Sequence, residues 1–151
     1  CLMIFIEKLP QDLVVQQNEV DFLELEWYEV NRTYLKRKTV LGVPVKIQWT
    51  EKLTLQDGQV IYQDEGVSIR IRIKECLCIL LTSDSIHTIG KFCYDVGNRH
   101  LPIFQVSDQR IAVSYDARLF QALKEKYEDQ VVLEEMKLLP NTALKAFGNF
   151  I

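Results

Sequence analysis

Two rhythms along the sequence predict an α+β protein. Through about residue 73, apolar and polar residues alternate with a period of two, and no stretch keeps a helical period. From residue 76 onward, strand-like runs and segments with apolar residues three or four apart follow in the order strand, helix, strand, strand, helix, strand. Glycine-containing pairs at 57–58, 65–66 and 97–98 fall where these patterns break. The predicted fold is a small N-terminal all-β domain, residues 1–73, followed by a ferredoxin-like βαββαβ domain, residues 74–140, and a short tail, residues 141–151.

In the first half, Leu2 to Glu7 is a short apolar run ahead of Pro10 and reads as a strand. Val20 to Trp27 sets Phe22, Leu23, Leu25 and Trp27 against Asp21, Glu24 and Glu26. Thr33 to Val40 continues as a third strand, closed by Leu41-Gly42, and Val43 to Trp49 keeps Val43, Val45, Ile47 and Trp49 on one face. Leu53 to Tyr62 carries Asp57-Gly58 between two apolar runs, the composition of a tight hairpin turn, because glycine takes positive φ without steric cost. Past Glu65-Gly66, Val67 to Lys74 alternates Val67, Ile69, Ile71 and Ile73 with Ser68, Arg70, Arg72 and Lys74. The cluster Arg32, Lys36, Arg37 and Lys38 also lies in this half; the acidic residues around it favour a solvated polar face over a phosphate site.

The second half opens on Cys76 to Leu81, a continuous apolar run suited to a central strand. Ser83 is the expected helix N-cap, with Asp84 near the positive end of the dipole. Ile86, Ile89, Cys93 and Val96 then recur at helical spacing, and Gly97 is the expected left-handed stop. Leu101 to Val106, a turn at Ser107-Asp108 and Arg110 to Tyr115 form a hairpin. Leu119, Leu123 and Tyr127 support a helix from about Asp116 to Glu128, and Val131 to Leu139 closes the domain. Each half is under about 80 residues, where a single core is only marginally stabilising, so an oligomer is expected.

Composition narrows the function classes. The 151 residues carry a net charge of −3 with Lys and Arg spread throughout, which argues against a dedicated nucleic-acid binder. No apolar run approaches the roughly 18–20 residues that span a bilayer, and no basic-then-apolar signal opens the chain, so a cytoplasmic protein is expected. Cys1 stands where an initiator methionine is expected and carries no weight. Cys76 and Cys78 share a strand face, where a thiol pair can reach a metal, but two small apolar residues in a buried strand is the simpler reading. No glycine-rich phosphate loop, nucleophile elbow or paired-carboxylate arrangement is present.

Chemistry therefore concentrates on Cys93 to Pro102, which holds His100, one of two histidines. Neutral imidazole binds borderline metals such as nickel, copper and zinc. One imidazole is too few for a firm site, but a two-fold dimer with His100 near its axis supplies two. On spacing alone, a surface histidine beside Asn98 and Arg99 is the default.

The segment Gly97-Asn98-Arg99-His100, preceded by Cys93-Tyr94-Asp95-Val96 and followed by an apolar strand, closely resembles the metal-binding segment of the UreE family of urease accessory proteins, which act as nickel chaperones. Lys38-Thr39-x-x-Gly42 followed by Val45 and Ile47, then Leu55-x-x-Gly58-x-Val60, resembles the family's amino-terminal domain, so the likeness covers residues 2–139. The resemblance implies that His100 is a Ni(II) ligand shared across a homodimer interface, with Gly97, Asn98 and Arg99 shaping the loop that presents it. It further implies delivery to the urease apoprotein through other accessory proteins, chiefly the GTPase UreG, and no enzymatic turnover. Zn(II) or Cu(II) can substitute at such a site. By the same resemblance residues 74–140 are the metal-binding domain and residues 1–73 a partner- or peptide-binding one.

The chain departs from the family pattern in lacking a histidine-rich tail, and Val113 to Arg118 carries none of the extra histidines some members have, so about one ion per dimer is expected. His87 matches no family ligand position and reads as a polar-face residue. Two other readings compete. One is an acylphosphatase-like hydrolase using Arg99 and Asn98, although Leu81-Thr-Ser-Asp84 stands where its glycine-rich loop belongs. The other is a non-catalytic peptide-binding scaffold with His100 incidental.

Overall fold

Alternation builds the first half of the chain. Strands β1 (Ile4–Ile6), β2 (Glu19–Leu25), β3 (Tyr34–Lys38), β4 (Pro44–Gln48), β5 (Val60–Gln63) and β6 (Val67–Ile73) form two three-stranded sheets, ordered β1-β4-β3 and β2-β6-β5. In each, every second residue is buried: Leu23 and Leu25 on β2, Val45 and Ile47 on β4, Ile69, Ile71 and Ile73 on β6. The β3–β4 turn needs a left-handed residue, and Gly42 supplies it at φ +89°. In the β5–β6 turn Asp64 Oδ1 accepts from the Gly66 and Val67 amides, both at 2.8 Å, and these bonds hold its carboxyl below its ordinary range. The computed structural model describes residues 2–13 and 19–145, and the chain divides into two units, Cys1–Lys74 and Glu75–Ile151.

Three expectations for this half are corrected. Leu53 to Gln56 forms no strand, so Asp57-Gly58 turns the chain (Gly58 φ +82°) without closing a hairpin. The segment is instead held from outside itself: the Leu55 amide donates to Val30 O, Gly58 to Ile71 O, and Asp57 Oδ1 accepts from Ile73. Residues 27–29 turn into a short 3-10 helix rather than finishing β2, closed by a capping box between Glu26 and Glu29. The basic cluster is not uniformly solvated either. Arg32 and Arg37 both bind Glu29, which is 5% exposed, whereas Lys36 and Lys38 do face solvent.

The second unit runs β7 (Cys76–Thr82), α1 (Ile86–Gly97), β8 (Phe104–Ser107), β9 (Arg110–Ser114), α2 (Ala117–Tyr127) and β10 (Val131–Met136). Its four strands lie in the order β10-β7-β9-β8, all neighbours antiparallel. One face of the sheet gives Ile79, Leu81, Ile111, Val113 and Val131 to a core completed by Phe92 and Val96 of α1 and Leu119, Leu123 and Tyr127 of α2. The helical spacing on α2 is the expected one. On α1, Phe92 fills the core while Ile86 is 87% exposed, so the buried stripe is rotated from the expected face.

Element ends also move. Ser85, not Ser83, caps α1, accepting from the Thr88 amide at 3.3 Å. Ser83 is buried just past the end of β7, its amide donating to Gln109 O in the β8–β9 turn. β8 starts at Phe104 and its turn lies at Asp108-Gln109; β10 stops at Met136. The start of the tail joins this sheet's edge, with Ala143 bridged to Phe104 and the Leu144 amide donating to Ile103 O. Phe147, Phe150 and Ile151, the apolar end of the tail, lie outside the described residues. Sheets and helices together make the protein α+β.

Candidate functional site

The site is built by the way α1 ends. Val96 is fully buried, and Ile103, seven residues on, is buried again. Pro102 bars Leu101 from helical geometry. The chain must therefore leave the helix and reverse within residues 97–100. Hydrogen bonds tighten through this stretch: the Asn98 amide donates to Tyr94 O at 3.0 Å, Arg99 to Val96 O at 3.1 Å, and His100 to Gly97 O at 2.9 Å. The last two span three residues, the closer winding usual at helix ends.

The left-handed residue is not Gly97, which ends the helix without positive φ, nor Asn98, which stays right-handed at φ −62°. It is His100, at φ +57°. Non-glycine residues rarely adopt this conformation, although histidine, asparagine and aspartate do so more than most. Gly97, Asn98, Arg99 and His100 are all exposed, so the strained position carries its imidazole into solvent. His87 is also exposed, on the first turn of α1.

Behind this turn α1 is fastened to α2. Asp95 Oδ2 accepts from Lys126 Nζ at 2.7 Å and from the Tyr127 hydroxyl at 2.6 Å. The Lys126 and Tyr127 bonds hold the Asp95 carboxyl below its usual range, and burial together with Asp95 pushes the Tyr127 phenol up. Burial likewise raises the Cys93 thiol, on the α1 face turned to the core. Asp95, Asn98, Arg99, Leu119, Ala122, Leu123 and Lys126 line a cleft of about 280 Å³. Of the charges lining it, Lys126 is already bonded to Asp95, and the negative end of the α1 dipole faces the remaining cation, Arg99, a weak setting for an acyl-phosphate site at Asn98 and Arg99. The periodicity marks Tyr127 only as part of the α2 stripe and leaves the Asp95–Lys126–Tyr127 brace unpredicted; its one signal is an acid, Asp95, on an otherwise core-facing stretch of helix.

Among the described residues, no group of three or more His, Cys, Asp or Glu side chains is placed to hold a metal ion. A metal at His100 would take its other ligands from outside this arrangement. Nor, among those residues, is any helix long and apolar enough to cross a membrane.

No protein-family model matches the chain. Individual known proteins do. The urease accessory protein UreE of Acetivibrio thermocellus is 36% identical over 113 residues, covering 75% of this chain and 73% of that protein. UreE of Flavobacterium johnsoniae is 27% identical over 146 residues, covering 95% and 88%, and UreE of Lysinibacillus sphaericus 27% over 126 residues, covering 81% and 84%. With 36% identity across most of both chains, this protein belongs to the UreE family of urease accessory proteins.

Proposed function

We propose that this chain is a nickel chaperone of urease maturation, which binds Ni(II) through His100 and donates it for nickel insertion into the urease active site. The carrying observation is His100 itself: an exposed imidazole at a left-handed position, on a turn whose preceding helix is anchored by buried Phe92 and Val96 and cross-braced to α2. An exposed ligand on a rigid base suits an ion that must be taken up and released. Gly97, Asn98 and Arg99 set the turn, and Zn(II) or Cu(II) are the expected competitors. The unit's strand order, with helices after the first and third strands, supports reading it as a ferredoxin-like βαββαβ domain.

One imidazole needs a second, and the proposed source is another copy, giving about one ion per homodimer. The outer side of α1 supports this: Ile86, Gly90, Tyr94 and Gly97 fall on one stripe, Ile86 is 87% and Tyr94 70% exposed, and a Cβ at either glycine would meet nothing within 4 Å. Such a stripe lets a second helix approach closely. The proposed partners are the GTPase UreG and the urease apoprotein complex, with the first unit as a partner- or peptide-binding module. The proposed setting is the cytoplasm, without nucleic-acid or membrane binding and without catalytic turnover.

Calorimetric titration of Ni(II) into wild type and His100→Ala tests the reading. Loss of binding in the variant is expected; equal binding by both sinks it.

A further inference from the structure

Three sulfur-bearing side chains share one face of the four-stranded sheet. Cys76 and Cys78 are two residues apart on β7 and so point the same way, and their Sγ atoms lie 3.6 Å apart. Met136 on β10 stands directly opposite Cys76, and directly opposed residues share a face. This is the face away from α1 and α2, since Ile79 and Leu81, of the other parity, fill the core beneath the helices. Two thiolates on one tetrahedral ion, with metal–sulfur bonds of about 2.3 Å, sit roughly 3.8 Å apart, so the pair needs little movement to share a metal. Cys78 is fully buried while Cys76 and Met136 are half-buried, which closes the cluster on one side and leaves a way in on the other. Thiolate and thioether are soft donors that select Cu(I) over harder divalent ions.

We propose that Cys76, Cys78 and Met136 bind one soft monovalent ion of the Cu(I) class, at a site that does not use His100. Two copper–thiolate bonds and one copper–thioether bond form, the two thiol protons pass to solvent, and copper stays Cu(I) with no electron transferred. Both thiols must lose a proton for the sulfur to bind the ion. Occupancy therefore rises with pH, and binding is accompanied by proton release.

The test is anaerobic titration of the reduced full chain with Cu(I), in competition with the chromogenic chelator bathocuproine disulfonate. Wild type should take one ion per chain, more tightly at pH 8 than at pH 6. Cys76→Ser should weaken binding by at least the roughly 10–100-fold that outer-shell changes cost metal sites. Met136→Leu should weaken it less, and His100→Ala should leave it unchanged. Neither Cys76 nor Met136 is fully buried, so neither substitution removes a residue from the buried core. Equal affinity in Cys76→Ser and wild type, or loss of Cu(I) binding in His100→Ala, overturns the proposal.

Discussion

The Tyr127 hydroxyl donates to Asp95 Oδ2 across 2.6 Å, tying the last turn of α2 to the last turns of α1. The Tyr127 ring also meets Phe92 edge-on, centroids 5.5 Å apart, so one residue both packs the core and braces the helix that ends at the candidate site. Tyr127→Phe keeps the ring contact and removes only the bond to a carboxylate. A loss of about 1.5–2 kcal/mol is expected from denaturant unfolding, at the low end for bonds to charged groups because Lys126 still binds Asp95. An unchanged midpoint would show that Lys126 alone fastens the two helices.

His100 at φ +57° makes two substitutions separable. Alanine removes the imidazole and keeps a Cβ in the left-handed region, a conformation that costs roughly 1–2 kcal/mol for an L-residue. Glycine removes both, offset by about 0.5–1 kcal/mol of backbone entropy. His100→Gly should therefore be more stable than His100→Ala by about 0.5–1 kcal/mol, while both abolish nickel binding. Melting curves alongside nickel titrations check this, and a glycine variant less stable than the alanine one would refute the backbone argument.

That contrast also shows what the sequence could disclose. The alternating strands and the α2 stripe Leu119, Leu123 and Tyr127 are legible because burial there follows local periodicity. The end of α1 is not. Gly97 and Asn98 are both better left-handed formers than His100, yet the helix runs through them because Pro102 and the return of Ile103 to the core push the reversal later. Leu55 misleads for a similar reason: it is fully buried, but its amide donates to Val30 O, far back along the chain, rather than to a partner across a hairpin. Arg37 was readable in principle. It has the same parity as buried Leu35, and a charge on the inner side of a strand calls for a carboxylate, which Glu29 provides.

Glu29 gives the first unit a pH signature. The Arg37 bond, aided by the Glu26 amide and by Arg32, holds its carboxyl below the ordinary value of 4.5 despite burial. A group whose pKa is lowered on folding stabilises the fold above its unfolded value, and that contribution is lost as pH falls through the folded one. Glu29→Gln should cost roughly 2 kcal/mol at pH 7, less than a fully buried pair because Arg37 is partly exposed. The gap between variant and wild type should close as pH drops below 4.5. Urea unfolding at pH 7 and pH 3.5 checks the sign; a gap that widens on acidification would contradict it.

The outer stripe of α1 offers the last test, of the proposed pairing of two copies. Tyr94 is 70% exposed and lies on the helix surface away from Phe92 and Val96, so Tyr94→Ser removes apolar area without touching the core. If α1 packs against α1 of a second copy, losing a large aromatic anchor from the interface should cost about 2 kcal/mol of association, near a thirtyfold rise in the dimer dissociation constant. Gly90→Leu should act in the same direction by steric exclusion, since the space beside Gly90 is open within one chain and is filled only if another helix lies there. Analytical ultracentrifugation with and without Ni(II) reads both variants. Dimers of unaltered affinity would place the second imidazole, and so the shared ion, on some other surface than this stripe.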